Sequence, residues 1–452
     1  MVRLAWTLAL ILITAITTVL RAQSPVPVAG ETFPERKAFI GFLGKPTEKG
    51  ISIDSVLPNS TASKLKLKKG DVIQSINGNA TSTLELYAAA ASAIRANDKI
   101  TAQYTRNGKT ATATTKAVVK PLETSVVADI MYDWVRFRNG YLRTITRKPK
   151  GKENVPCILL IPGYGCGSIE NYSKSYNGKL MDEWLKNGFA VVTIEKSGLG
   201  DSFGCEACAE ADLLTDIESF DAGYSYMERL SFVDKANLFI WGHSMGGTIA
   251  PEVAKKHHPK GVMVFGSVFR PWSEFLLEMH RVQKPLLENL TYQQTEDFTR
   301  KIQKIYYEFF VLKKSPATLS ENPEYNALVV SELNYKPGST NMWGRSWKFW
   351  QQLDTLDLAK SWQEVNCPVL ILHGGTDYEQ CSLVEPMLTQ KTINEKHPNT
   401  ATWITIPDLD HFMMKSKDWP EAVKNFNEQQ YAKGNFNEKI AQETVKWLQS
   451  KV

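Results

Sequence analysis

The chain has 452 residues, 43% hydrophobic and 22% charged, which excludes a disordered or fibrous protein and leaves room for two or three folded domains. Its 53 Lys and Arg against 48 Asp and Glu give a net charge of only +5. With no long basic block, no nucleic-acid partner is expected.

The first element is "MVRLAWTLALILITAITTVLRAQS", where Arg3 precedes an apolar run from Leu4 to Leu20 and a small residue, Ala22, precedes a polar, Pro-rich stretch. This pattern predicts a secretory signal over residues 1–22, with an uncleaved N-terminal anchor as the alternative. The rest of the chain is then expected to be secreted or periplasmic, touching a membrane only if the segment is retained. Export also sets how the six cysteines are read, because oxidising compartments let disulfides persist. Cys205 and Cys208 in "CEAC" have the spacing of half a zinc site, but no second pair accompanies them. A disulfide or a buried thiol is expected there, not a metal.

Residues 30–120 hold several short β-like runs, including an Asn-Gly hairpin turn in "TRNGKT". In "VLPNSTASKLKLKKGDVIQSINGNAT" a short helical stretch from Ser60 to Leu65 leads to a turn at Lys69-Gly70-Asp71. An apolar alternation through Val72, Ile73 and Ile76 follows, and a second turn at Asn77-Gly78. Gly70, Asp71, Ile73, Ile76, Asn77 and Gly78 match "GDxIxxING", and the region resembles a PDZ domain. The resemblance implies that Gly41, Phe42, Leu43 and Gly44 of "FIGFLG" present backbone N–H groups to a peptide C-terminal carboxylate. The helical run Thr83 to Ala96 would form the other wall of the groove, and a bound peptide would add to the sheet as a strand.

From Val126 to Pro149 the sequence alternates and reverses at Asn139-Gly140, which predicts an antiparallel hairpin. Six short apolar runs follow, beginning at Cys157, Phe189, Ala236, Gly261, Pro368 and Ala401, with helical stretches at Lys179–Asn187, Asp212–Met227 and Gly247–His257 between them. Strands alternating with helices imply a mostly parallel sheet covered on both faces. Sites in such sheets lie beyond the carboxyl ends of the strands. Between the fourth and fifth of these strands, residues 269–366 form a charged, aromatic, partly helical insertion placed to act as a cap. Its Trp272, Trp343, Trp347, Trp350 and Trp362 either line a pocket or pack the insertion onto the layer beneath.

Ser244 lies in "WGHSMGG", which satisfies G-x-S-x-G after a strand and before a helix. Serine is also a favoured helix N-cap, so a catalytic reading needs a base, an acid and oxyanion donors elsewhere. Of seven histidines, His411, just past the last strand, is the best placed base; His243 would point away from the serine beside it. Asp377, after the preceding strand, is the expected acid, with Glu379 as the fallback.

The order Ser, Asp, His is that of α/β hydrolases, and residues 125–452 resemble that superfamily, most nearly its capped secreted esterases and the serine aminopeptidase-like group. The implied fold is an α/β-hydrolase domain with a helical cap, preceded by a small, mainly β PDZ-like domain. The usual His-Gly of the oxyanion loop is replaced here by Pro162-Gly163, which leaves the donors as the backbone N–H groups of Tyr164 and Met245. In "EKSGLGDS", Asp201 is expected to be a structural hydrogen-bond partner. Cys166, Cys205 and Cys208 fall in neighbouring strand-end loops on this arrangement, where a disulfide would brace the oxyanion loop.

The implied reaction is hydrolysis of a small carboxylic ester through an acyl-enzyme, with no metal or organic cofactor required. Two alternatives stand beside it. One is an exopeptidase acting on short peptides, with Glu274, Glu278 or Glu288 of the insertion as candidate anchors for an amine. The other is a non-catalytic protein that captures peptides through the PDZ-like region.

Overall fold

The structure, a computed structural model, describes residues 33–170, 175–428, 430 and 434–452. The expected signal segment, residues 1–22, lies outside them. Among the described residues, no helix is long and apolar enough to cross a membrane.

The N-terminal unit runs β1 (Phe42–Thr47), β2 (Gly50–Val56), α1 (Thr61–Lys64), β3 (Val72–Ile76), β4 (Asn79–Ala80), α2 (Leu84–Ser92), β5 (Lys99–Arg106) and β6 (Lys109–Lys116). The strands form one antiparallel sheet in the order β1-β2-β3-β5-β6, with β4 on β3, so β1 is an edge. Gly41 leads into β1, while Phe42, Leu43 and Gly44 belong to the strand itself, opposite Val56, Ser55 and Ile53 of β2. Phe42 meets Tyr87 of α2 edge-on with ring centroids 5.4 Å apart.

The second helix stops at Ser92, short of the predicted Ala96. Beyond Ser92 the chain pairs with the segment entering the domain: Ala96 N–H donates to Arg36 O at 2.8 Å and Lys37 bridges Arg95. These bonds carry Ile94 and Ala96 into the core, and tertiary pairing overrides the helical propensity of an alanine-rich run.

The larger unit continues with β7 (Ala128–Phe137), β8 (Gly140–Pro149), β9 (Val155–Ile161), α3 (Tyr176–Lys186), β10 (Ala190–Ile194), α4 (Leu213–Met227), β11 (Val233–His243), α5 (Met245–His257) and β12 (Gly261–Phe265). An insertion then carries α6 (Trp272–Glu288), α7 (Tyr292–Tyr306), a π-helical turn at Tyr307–Val311, α8 (Pro316–Ser320), α9 (Pro323–Ser331), β13 (Asn341–Met342), β14 (Arg345–Ser346), α10 (Trp347–Asp354) and α11 (Leu358–Gln363). The chain returns through β15 (Val369–Gly374), α12 (Val384–Lys396), β16 (Ala401–Ile406), α13 (Trp419–Asn427) and α14 (Glu438–Gln449).

The eight-stranded sheet has the order β16-β15-β12-β11-β9-β10-β8-β7. It is parallel from β16 to β10; β8 pairs antiparallel with β10, and β7 with β8. Successive side chains of a strand point to opposite faces, and both faces are apolar here. Cys157, Leu159 and Ile161 of β9 pack with residues of α4, α5 and the insertion, whereas Ile158 and Leu160 pack with α3 and α14. Burial on both sides explains the continuous apolar runs.

A charged seam joins the two units. Asp201 accepts from Arg36 Nε at 2.8 Å and from the Lys37 N–H at 2.8 Å. Glu170 is paired with both Arg36 and Lys120 and accepts from Tyr132 Oη at 2.9 Å. The structural partner expected of Asp201 is thus the segment that leads into the N-terminal unit.

Candidate active site

The apolar half of β11 ends at His243, and the backbone then reverses sharply at Ser244, with φ 56° and ψ −126°. A serine with positive φ stores strain that the surroundings must hold. Two backbone bonds do so: Ser244 N–H donates to Phe265 O at 2.8 Å, and Gly247 N–H donates to Ser244 O at 2.9 Å. The turn also needs a missing side chain, since a Cβ on Gly246 would stand 2.0 Å from Ile161 O. Although Ser244 occupies the N-cap position of α5, its hydroxyl makes no capping bond. The simple capping role for this serine is therefore not the one it plays.

At the ends of β15 and β16, His411 Nδ1 and Asp377 Oδ2 are 2.8 Å apart, and both residues are buried. Asp377 Oδ1 accepts from the N–H groups of Glu379 and Gln380 at 3.0 and 2.8 Å, which fixes the carboxylate. Burial alone would raise the Asp377 pKa, but His411 and these donors hold it below the usual value. Burial would likewise lower that of His411, yet the Asp377 carboxylate reverses the sign and leaves it raised. The preceding Asp410 shapes the His411 loop by accepting from the N–H groups of Phe412 and Met414 and from Ser416 Oγ.

The end of β12 brings the serine and the pair together. Phe265 accepts the Ser244 N–H, and a Cβ on the next residue, Gly266, would stand 2.9 Å from the His411 ring and 3.2 Å from Asp377 Oδ2. On the other side, the loop after β9 passes Ser244: a Cβ on Gly163 would lie 3.8 Å from its Oγ. Tyr164 follows in that loop, and Met245 is the first residue of α5.

Five of the remaining six histidines hold structural positions, and His258 is exposed at the end of α5. His243 Nε2 lies 2.9 Å from the His411 carbonyl oxygen; since a carbonyl only accepts, Nε2 carries the proton, and burial lowers the ring's pKa to about 3. It braces the backbone of His411 as a neutral donor. His280 bonds Tyr306 Oη at 2.7 Å within the insertion, His257 lies 3.1 Å from Asp221, and His397 contacts Gln363 O. His373 is the penultimate residue of β15 and is buried.

Among the insertion's carboxylates, Glu278 is paired with Arg270, Glu288 with Lys284 at 2.8 Å, and Glu274 is exposed. Glu379, the fallback acid, is half-buried, with burial pushing its carboxyl above the usual range, and Gln283 of α6 donates to the carbonyl of the preceding Tyr378 at 3.2 Å. Trp350 and Trp362 are buried; Trp350 stacks on Trp272 at 5.6 Å and meets Trp343 and Tyr164 edge-on at 5.2 and 5.3 Å. That aromatic group seats the insertion on the Gly163–Tyr164 loop. Cys166, in the same loop, is disulfide-bonded to Cys208, while Cys205 is a free thiol.

Sequence reasoning missed three residues behind this loop: Lys196 after β10, Asp216 of α4 and Arg345 of β14. All are buried. Lys196 lies inside "EKSGLGDS", where nothing sets it apart, and no local motif marks Asp216 or Arg345.

A family model described as "Serine aminopeptidase, S33" matches residues 156–418, more than half of the chain. The chain belongs to this family of α/β hydrolases. A PDZ domain model matches residues 38–117. The hydrolase unit is also similar to "Esterase EstD" of Thermotoga maritima, at 19% identity over 314 residues, covering 66% of this chain and 63% of that protein. The chain therefore spans somewhat under two thirds of that relative's length. Among solved structures, it is similar to Est1E of Butyrivibrio proteoclasticus, with 14% identity, coverage of 72% of this chain and 98% of that one, and a TM-score of 0.44. It is also similar to a proline iminopeptidase of Mycobacterium smegmatis, with 14% identity, 71% and 98% coverage, and a TM-score of 0.42.

Proposed function

We propose that this hydrolase cleaves small carboxylic esters through an acyl-enzyme, with Ser244 as nucleophile, His411 as general base and Asp377 as its orienting carboxylate. The observation that carries the reading is the meeting at the end of β12, where Phe265 holds the Ser244 backbone and Gly266 packs against the His411–Asp377 pair. With Nδ1–H given to Asp377, the Nε2 lone pair of His411 is the one that takes the serine proton. The oxygen of Ser244 attacks the ester carbonyl, and the N–H groups of Tyr164 and Met245 receive the oxyanion. The imidazolium then protonates the leaving alcohol. Water, activated by the same imidazole, attacks the acyl-enzyme and regenerates Ser244.

The pairing of Glu278 and Glu288 with basic residues favours ester over peptide substrates, because a neutralised carboxylate is a poor anchor for an amine. The half-buried Glu379 supports the second reading, a short-peptide exopeptidase, since it is a further carboxyl group close to the His411–Asp377 pair. The edge strand β1 supports a further role in which a peptide C-terminus adds to the N-terminal sheet. We also propose export, supported by the apolar segment near the start of the chain and by the Cys166–Cys208 disulfide.

The deciding experiment compares p-nitrophenyl esters with aminoacyl anilides, using wild-type protein and Ser244→Ala. Ester turnover abolished by Ser244→Ala, with unchanged thermal unfolding, is the expected result. Anilide turnover with negligible ester turnover would move the assignment to the exopeptidase. Failure of a fluorophosphonate to label folded wild-type protein would remove Ser244 from the mechanism.

A further inference from the structure

The loop that passes Ser244 is held from behind by a buried charge cluster. Lys196 Nζ donates to Gly163 O at 2.7 Å, and Arg345 Nη1 donates to Tyr164 O at 2.9 Å. Asp216 sits between the two cations, 3.2 Å from Lys196 and bonded to Arg345 through both oxygens at 2.9 and 3.0 Å. The guanidinium also lies over the Phe349 ring, 4.2 Å from its centroid. Lys196 comes from the loop after β10 and Arg345 from the insertion, so two separate elements reach consecutive carbonyls, and Asp216 of α4 supplies the carboxylate between them.

The peptide bond is planar and trans, so the Gly163 carbonyl and the Tyr164 N–H point in opposite directions from one rigid unit. Fixing the carbonyl therefore fixes the N–H. Arg345 fixes the next peptide plane in the same way, leaving Tyr164 anchored on both sides. A cation on a carbonyl oxygen also polarises its amide, which strengthens the N–H as a donor. Two cations against one carboxylate leave a net positive charge behind the loop, the sign that favours an oxyanion in front of it. Packing by itself does not call for such a cluster, because apolar residues of similar volume stabilise an interior as well as buried ion pairs do.

We infer that Lys196 and Arg345 are positioning residues that aim the Tyr164 N–H at the oxyanion, and that the seated insertion, through Arg345, completes the oxyanion hole. The inference rests on Ser244 being the nucleophile. It makes the insertion part of the apparatus for transition-state binding as well as a cover over the site.

The test uses the full chain with Lys196→Met, Arg345→Met and the conservative Lys196→Arg. Each single change leaves Asp216 paired with a cation, so the core keeps no orphaned carboxylate. Four quantities are measured: kcat and KM on a p-nitrophenyl ester, affinity for a trifluoromethyl ketone that forms a tetrahedral adduct with serine, and hydrogen exchange of residues 162–168. The methionine variants are expected to lose about 10- to 100-fold in kcat with KM nearly constant, short of the loss from deleting a donor outright. Ketone affinity falls in parallel, exchange in 162–168 rises, and Lys196→Arg recovers most of each.

Wild-type kcat and ketone affinity in both methionine variants would overturn the inference, as would losses that Lys196→Arg shares in full. If wild-type protein neither turns over ester nor binds the ketone, the assignment of Ser244 fails instead. Exchange then decides the clamp alone, and wild-type protection of 162–168 in both methionine variants overturns it.

Discussion

Gly266→Ala offers a sharp test of how closely the His411–Asp377 pair is packed. The residue has φ +62°, and the added Cβ would stand 2.9 Å from His411 Cε1 and Nδ1 and 3.2 Å from Asp377 Oδ2. Ordinary carbon contacts lie near 3.5–4.0 Å, so the ring must retreat by roughly 0.6 Å or more. The left-handed backbone adds about 1–2 kcal/mol of strain for a residue with a Cβ, which lowers stability without unfolding the domain. Catalysis suffers more, because displacements approaching 1 Å cost up to about 10²-fold in rate. We expect kcat on a p-nitrophenyl ester to fall by about 10- to 100-fold, with KM little changed and the melting temperature lower by a few degrees. Loosened pairing also withdraws the carboxylate that keeps the His411 pKa raised, so the acidic limb of the pH–rate profile moves to lower pH. A folded Gly266→Ala protein with wild-type kcat and an unmoved acidic limb would refute both the packing argument and the role of the pair.

Asp377→Asn keeps the volume but removes the charge that holds Nδ1–H. About a 10⁴-fold loss of kcat is expected, with any residual acidic limb shifted downward because the Asp377 carboxylate no longer offsets the burial that lowers the His411 pKa; a loss under tenfold in the folded variant would contradict the assignment. Replacing Cys166 and Cys208 by serine opens a link across a sequence separation of 42. The chain-entropy relation puts the cost at about 4 kcal/mol, and denaturant midpoints that match the wild type would show that the bond does not brace the fold. Asp201→Asn leaves Arg36 held by Glu170 alone and takes its paired carboxylate from the buried Arg143, for which a destabilisation of about 3–5 kcal/mol is expected. Thermal unfolding and proteolysis between residues 117 and 128 measure it, and wild-type behaviour in both would mean that the seam does not hold the units together.

Much of the candidate site was legible because its parts follow local rules. Strands announce themselves through apolar runs, and the residues just beyond their ends are the ones a parallel sheet gathers at one edge. Ser244, Asp377 and His411 could therefore be singled out before any contact was known. His243 illustrates the limit. Its exclusion as the base followed from the turn, but its use as a neutral brace for the His411 carbonyl depends on a loop 168 residues away. The alanine-rich helix shows the same limit in the fold, since it ends at Ser92 where pairing with Arg36 takes over.

By itself the sequence determined the two kinds of domain, the order of the strands along the chain and the identity of the residues at their ends. These depend on periodicity and turn chemistry within a dozen residues. Only the tertiary structure decided which of the six cysteines are joined, that Asp201 binds the incoming segment, and that Lys196, Asp216 and Arg345 meet behind the Gly163–Tyr164 loop. Asp216 and Arg345 are 129 positions apart. A buried cation takes its partner from whatever charge the fold carries within a few ångströms, and no spacing along the chain encodes that distance.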